Sequence, residues 1–320
     1  KVGDSPVVVT SHDGAWLAAF DLARAGVKIG GIIDIRSSVP EHLTASAAAL
    51  GIEVLTGWTV TGTKGRLRIS SVRAKPIEGG SGQAREFACD ALLMSGGWNP
   101  SLHLFSHTTG KLEWREDAQV FLPAKHVEQS RCAGAGNGTF GLASVLAEGA
   151  QAGAAAAVDA GFKATATGYD VGGELAMTGV SSRELPTDRN SSTAKAFVDF
   201  QNDVTAKDLK LAAREGFRSI EHVKRYTTTG MATDQGKTSN VNGLAILASE
   251  RAQPIATVGT TLNRPPFTPV SIGALAGHHR GKDFAATRLS PLHEWAKSQG
   301  AVFIESGAWL RASWFPRPGE

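Results

Sequence analysis

Cysteine is almost missing from these 320 residues: Cys89 and Cys132 are the only two. So few thiols exclude a disulfide framework and a cysteine-ligated iron-sulfur cluster, and they fit a reducing compartment. No Cys-x-x-Cys pair occurs, which argues against disulfide reductase chemistry. Concentrated basic charge is missing as well. A formal net charge of +3 with no dense Lys/Arg block leaves no concentrated face for nucleic acid. No apolar run reaches about eighteen residues and no charged-then-apolar leader is visible, so neither a spanning helix nor a secretory signal is expected. The cytoplasm is the expected location. The chain also lacks an initial methionine, opening at Lys1 and closing on Phe315-Pro-Arg-Pro-Gly-Glu320, and is read as an internal fragment of a longer polypeptide.

What is present is ordinary in bulk and specific in detail. An apolar fraction of 42% and this length suit two domains and part of a third. Two stretches carry the most information: Ala91-Leu-Leu-Met-Ser-Gly-Gly-Trp-Asn-Pro100 and Arg131-Cys-Ala-Gly-Ala-Gly-Asn-Gly138. Each reads as a strand running into small residues, where a ligand's phosphate or ribose can approach the backbone closely. After Gly138 comes an Ala-rich run predicted to be a helix packed on a sheet, its N-terminal amides facing the glycines. A Gly-rich turn before a buried helix is the plainer alternative.

The first unit reads as a degenerate nucleotide domain. Pro6–Thr10 is a buried-type strand, Ser11–Gly14 a turn, Ala15–Ala25 an amphipathic helix ended by Gly26, and Lys28–Ile35 the next strand. This βαβ pattern puts Thr10, His12 and Ala15 where the glycines of G-x-G-x-x-G would stand, and a side chain at His12 takes the space a pyrophosphate needs. Asp34, at a strand end, reads as a solvated cap with a ribose contact as the alternative. Gly51–Trp58, Thr59–Thr63 and Arg66–Arg73 predict a parallel strand and an antiparallel meander, with a hairpin or loop at 78–83.

This order of elements resembles the two-dinucleotide-domain flavoproteins, of which thioredoxin reductase is the simplest plan. In that family an outer domain closes on Ala-Gly-Asp. Ala133 and Gly134 match, while Ala135 replaces the aspartate that contacts FAD. A ligand other than FAD is therefore implied.

Downstream, Arg183–Thr193 reads as a polar linker, followed by two helices, one capped by Thr205 and one over Phe217–Arg225. With the hydroxyl-rich loop Tyr226–Asn240 they resemble the bacterioferritin-associated ferredoxin module, Asp199, Gln201, Asp234 and Ser239 standing where cluster cysteines would be. The loop's Lys224, Arg225 and Lys237 suit a flavin phosphate or a partner subunit, against a plain structural loop. Asn263–Gly273 is a stiff, proline-fixed connector. Arg288–Trp295 and Val302–Arg311 are similar to the start of a folate-binding aminomethyltransferase domain. His278, His279 and His293 have no partners at metal-ligand spacing, so packing or surface roles are expected.

Taken in order, and most of all over Tyr226–Gly243 and Arg264–Gly277, the chain resembles the alpha subunits of heterotetrameric, tetrahydrofolate-dependent sarcosine oxidases. The resemblance implies an α/β fold in six segments. These are a degenerate inserted nucleotide domain over 1–90, the return half of an outer NAD-binding domain over 91–165, and a linker over 166–195. A cysteine-free ferredoxin-like helical module over 196–250, a connector over 251–285 and the start of the folate domain over 286–320 follow. It implies oxidative demethylation of sarcosine to glycine, oxygen yielding hydrogen peroxide and tetrahydrofolate taking the one-carbon unit. NAD would sit against Gly134, Ala135, Gly136, Asn137, Gly138, Thr139, Phe140 and Leu142. FMN would lie at the interface with a beta subunit that holds FAD, the folate site would lie mostly outside this stretch, and gamma and delta subunits would complete the assembly. No catalytic residue and no metal ligand is assigned. Two other readings are a related opine, proline or cyanide-forming glycine dehydrogenase, and a noncatalytic scaffold with vestigial nucleotide clefts.

Overall fold

A computed structural model describes residues 3–77, 83–173, 177–180, 184–188, 195–278 and 287–319. It divides into two compact units, 1–267 and 268–320. Residues 78–82 of the expected hairpin, 174–176, 181–183 and 189–194 of the expected linker, and His279 lie outside the described residues.

The first unit starts with β1 (Pro6–Thr10), α1 (Asp13–Arg24), β2 (Gly31–Asp34), α2 (Glu41–Ala49) and β3 (Val54–Thr56). A meander follows, β4 (Trp58–Gly65), β5 (Ile69–Pro76) and β6 (Arg85–Ala88), and then β7 (Ala91–Ser95). The sheet order is β3-β2-β1-β7, all parallel. Every residue of β1 and β2 is buried, as a strand covered on both faces requires. Trp16, Ala19 and Phe20 of α1 pack with Leu43 and Ala47 of α2 on one side of it. Val72, Ala74 and Phe87 of the meander meet Val7, Val9 and Ile33 on the other.

β7 bonds in register with β1, Pro6 opposite Ala91 through Thr10 opposite Ser95. The boundary expected at 90/91 therefore falls inside a continuous sheet, and the first glycine-bearing segment closes the first nucleotide unit.

Next come α3 (His103–His107), the hairpin β8 (Lys111–Arg115) and β9 (Val120–Lys125), a 3-10 turn at Gly134–Asn137, and α4 (Leu142–Asp159). Here two expectations are corrected. Residues 131–133 form no strand, because no neighbouring strand among the described residues pairs with them. Nor is the Ala-rich helix packed on a sheet: no residue of α4 is buried.

β10 (Phe197–Asp199), β11 (Val204–Thr205), α5 (Ala206–Arg214), α6 (Ile220–Thr227), α7 (Asn240–Glu250) and α8 (Ile255–Val258) complete this unit. Thr205 caps α5 as its sequence suggests, its backbone N–H and hydroxyl both donating to Asp208 at 2.8 and 2.7 Å. Leu209, Ala212, Ile220, Val223, Leu244 and Leu247 make the core, joined by Leu102 and Phe121 from the α3 and β9 region. Asp199, at a position the ferredoxin resemblance gives to cysteine, is buried. Its carboxylate accepts from the N–H groups of Gln201, Asn202 and Gly230 at 2.9, 3.1 and 2.7 Å. One carboxylate thus joins two loops.

The second unit holds α9 (Ile272–Ala276), β12 (Arg288–Leu289), α10 (His293–Ser298), β13 (Val302–Ser306) and β14 (Trp309–Trp314), with sheet order β12-β14-β13. His293 packs its ring on Phe303 at 4.5 Å, in keeping with a packing role. Among the described residues no helix is long and apolar enough to cross a membrane.

Because the Gly230 N–H is buried, Asp199→Ala leaves it unpaired, and a loss of about 1 to 3 kcal/mol is expected in urea unfolding of the chain. Asp199→Asn keeps one acceptor and should lose less.

Candidate functional site

Two edges of the first unit carry the geometry of a nucleotide site, and they differ in what already fills them. The first lies at the C-terminal end of β1 and β2, where open α/β sheets bind ligands. Thr10 and His12 replace the glycines there, and the Thr10 hydroxyl accepts the His12 N–H at 3.1 Å, tightening the turn. His12 caps α1 by accepting the Gly14 N–H on Nδ1 at 3.1 Å, which puts the ring proton on Nε2, 2.7 Å from Ser95 Oγ.

Asp34 is not a solvated cap. It is fully buried, accepting from Trp16 Nε1 at 2.8 Å and from Arg36 Nη2 at 2.7 Å and Nε at 3.0 Å. Arg36 also reaches Asp13 at 2.8 Å through Nη1, so a guanidinium with 8% exposure links two buried carboxylates. The same Nη1 donates to the carbonyl of Thr178, which lies in the stretch expected to be linker.

The segment 177–180 covers this edge. Asp13 donates its N–H to Thr178 O at 3.0 Å, Thr178 returns its N–H to Asp13 Oδ2 at 2.7 Å, and the Val180 N–H donates to Ser11 O at 3.0 Å. His12 and Gly179 form an antiparallel bridge. The Asp13 and Gly14 amides at the start of α1 would face a pyrophosphate in a nucleotide domain, and both are spent on the chain itself. Further along the linker Asp188 pairs with Lys75 and accepts from Thr61 Oγ1 at 2.9 Å, so this stretch is stitched to the meander.

The second edge is the turn Gly134–Asn137 with Gly138, Thr139, Phe140 and Leu142. Gly134 and Gly138 have φ of 66° and 84°, left-handed values that a side chain disfavours. At Gly138 a Cβ would also lie 2.7 Å from Leu122 of β9, which braces the turn. Glu148, two turns into α4, reaches back to accept from Gly134 N at 2.7 Å and Asn137 Nδ2 at 2.5 Å. Burial raises its pKa, but the bonds from Asn137, Gly134 and Thr139 outweigh that and hold the carboxyl below its usual range. Gly136, by contrast, has no atom within 4 Å of where a Cβ would stand, and Phe140 and Leu142 are 42% and 61% exposed.

The eight expected site residues are therefore contiguous and brought to one edge. With Glu148 holding two of the turn's donors, that edge suits a ribose or an uncharged ring better than a pyrophosphate. Glu148, Arg36, Asp13 and Thr178 escaped the sequence reading. An acidic residue one face of a helix away from a glycine turn is a weak signal, and contacts spanning more than a hundred residues leave none. Burial pushes the thiols of Cys89 and Cys132 up, so neither is a poised nucleophile. Among the described residues no cluster of three or more His, Cys, Asp or Glu could hold a metal ion.

Comparison with known proteins bears on the chain as a whole. Residues 193–278 match the family described as the sarcosine oxidase A3 domain. Along 99% of its length the chain is 41% identical to sarcosine oxidase subunit alpha of Rhizobium meliloti (strain 1021). It is 37% identical, over 100% of its length, to the same subunit of Corynebacterium sp. (strain P-1). The chain spans about a third of these relatives, 31% and 34% respectively. Among solved structures, L-proline dehydrogenase from P. horikoshii aligns with 86% of this chain and 50% of its own at TM-score 0.54 and 18% identity, a likeness of fold. The chain is thus similar from end to end to sarcosine oxidase alpha subunits and shares an α/β fold with L-proline dehydrogenase.

Two outcomes test the closed edge. Arg36→Met leaves Asp13 and Asp34 buried without their counter-charge, and a loss of about 3 to 5 kcal/mol in equilibrium unfolding is expected. Burial, then Arg36, hold the His12 pKa below its ordinary 6.5 against the pull of Asp13 and Asp34. The unfolded chain then binds the proton more readily, so His12 contributes stability above pH 6.5 that is lost as the pH falls through the folded value. His12→Asn, which keeps an N-cap acceptor, should flatten that part of a stability-against-pH curve. An unchanged slope would show that His12 is not its source.

Proposed function

We propose that this chain is the middle portion of a sarcosine oxidase alpha subunit. The activity of the assembly is oxidative demethylation of sarcosine to glycine, with oxygen reduced to hydrogen peroxide and the one-carbon unit carried away as 5,10-methylenetetrahydrofolate. The observation that carries this reading is similarity along the whole chain to two such subunits at 41% and 37% identity. The match of 193–278 to the A3 domain supports it independently of the nucleotide units.

In this reading the chain holds no complete catalytic centre. Its contribution is one wall of an NAD site together with a subunit interface. Gly134, Ala135, Gly136, Asn137, Gly138, Thr139, Phe140 and Leu142 would hold NAD. The fit rests on Gly136, whose Cα faces open space, and on the exposed Phe140 and Leu142 beside it. Ala135, in place of the FAD-type aspartate, and the engaged Glu148 carboxylate both favour the ribose and ring portion of the dinucleotide over its phosphates. A nicotinamide cofactor supplies hydride-transfer capacity in general. Here the residues only bind and orient.

Interface FMN, FAD in the beta subunit, a tetrahydrofolate site mostly outside this stretch, the gamma and delta subunits, and a cytoplasmic heterotetramer follow from the same reading. The second unit is the start of the folate-binding domain, and 196–250 is a ferredoxin-type helical module in which Asp199 organises loops that a cluster would otherwise join. The vestigial-cleft reading is favoured for the first edge alone, whose donors the segment 177–180 consumes.

The decisive experiment is mass spectrometry of small molecules released by denaturing the natively purified complex. NAD, FMN and FAD together are expected, and an assembly free of NAD would overturn the site assignment. Gly136→Val provides the local check. A Cβ there meets no described atom within 4 Å, so the fold should tolerate a side chain, while retained NAD should fall about tenfold or more, equivalent to about 1.4 kcal/mol. Undiminished NAD would place the ligand elsewhere.

A further inference from the structure

A cavity of about 240 Å³ lies apart from both nucleotide edges. One wall is Asn99–His103, which follows the C-terminal end of β7, and the opposite wall is Gly236, Lys237 and the start of α7, with Thr260, Thr261 and Asn263 beside them. Strand ends of an open α/β sheet and helix starts are both places where ligands gather, the first by topology and the second by unpaired N–H groups and the helix dipole. α7 runs eleven residues from Asn240 to Glu250, long enough for its N-terminus to carry that field.

Three side chains make the cavity more than a gap beside a helix. His103 is 93% buried, given its 7% exposure, and among the described residues neither of its ring nitrogens has a hydrogen-bond partner. Asn263 Oδ1 is likewise buried without a partner. Lys237 spends one donor on the carbonyl of Phe267 at 2.7 Å and rests over that ring at 4.8 Å, which leaves further N–H donors on the ammonium. The same Phe267 ring meets His103 edge-on at 5.5 Å, so one aromatic side chain positions both groups.

Buried polar atoms in native proteins are normally paired, and a cluster of unpaired ones around a cavity marks a place where a ligand completes the bonding. We propose that this cavity binds a small oxyanion, a carboxylate or phosphate, on a ligand that also carries a hydrogen-bond donor. Lys237 takes the anionic oxygens within the field of the α7 N-terminus, whose Asn240 N–H is already spent on Gly236 O at 2.9 Å. Asn263 Oδ1 and the lone pair of His103 take the donor, and the remaining ring N–H gives one more bond to oxygen. Burial, reinforced by Lys237, pushes the His103 pKa down, so the ring is neutral and offers one donor and one acceptor together. A free anion would satisfy only part of this set, while an amino acid or a phosphorylated alcohol would satisfy all of it. The proposal does not depend on NAD binding at Gly134–Leu142.

The test uses the full chain in its native complex, with glycine and inorganic phosphate as separate probes. Lysine acetylation followed by peptide mass spectrometry reads Lys237 directly in the unaltered protein. Saturable protection of Lys237 by at least one probe is expected, glycine pointing to a carboxylate ligand and phosphate to a phosphorylated one. Titration calorimetry should show that Lys237→Met weakens binding of that probe about tenfold or more while Lys237→Arg largely keeps it, and that His103→Phe weakens it comparably. Lack of protection by either probe overturns the proposal, as does equal binding by wild type and Lys237→Met.

Discussion

The first unit depends on one guanidinium. Arg36 holds Asp34 at the end of β2 and Asp13 at the start of α1, and with the same Nη1 reaches Thr178 more than a hundred residues away. Two buried carboxylates beside each other are tolerable only with a counter-charge between them, and the planar fork of arginine can serve both while a lysine ammonium could not span them in this geometry. The consequence reaches past local stability. A crevice that in a nucleotide domain would be open at the strand ends is closed by the protein's own backbone, and the chain leaving α4 is brought back across the first sheet before it enters the helical module. The strand-end edge is a clasp rather than an opening.

The turn at Gly134 follows the opposite logic. There the acidic partner, Glu148, comes from within the adjoining helix and fixes the loop without covering it, so Gly136, Phe140 and Leu142 remain accessible. Both edges meet the requirement that backbone amides near glycine turns and helix starts find an acceptor. At the first edge the acceptors are His12 and Thr178, one a side chain in the phosphate's space and the other a strap above it. At the second edge the acceptor sits behind the loop. Position of the acceptor, rather than the count of glycines, separates the closed edge from the open one.

Local pattern was legible in the sequence because it follows from local physics. The continuous apolar runs of β1 and β2, the alternation in the meander and the Thr205 cap all depend on neighbours within a few residues, and each stands close to its expected place. Long-range pairing was not legible. Ala91–Ser95 could close either of two sheets, and only its register with β1 decides the matter. Asp34 looked like a surface carboxylate because strand-end acids usually are, and nothing near it in sequence announced a bond from Trp16 or an arginine shared with Asp13. Similarly, the alanines of α4 suggested close packing on a sheet, yet none is buried within this span, which is about a third of the length of its relatives.

Asp199 shows how a single buried carboxylate can organise the loops of the helical module. An iron-sulfur cluster ties loops through thiolates, and a carboxylate can tie the same loops through N–H groups provided it is buried and fully satisfied. Asp199 meets that condition with three backbone donors from two loops. Ser239 does not, since its hydroxyl is buried without a partner. The two positions therefore differ: Asp199 is built into the fold, while Ser239 is polar and unpaired among the described residues. That second position directly precedes Asn240, which opens α7 and lines the cavity beside Lys237. Unspent polarity thus gathers on that side of the loop, where among the described residues His103 and Asn263 also lack partners.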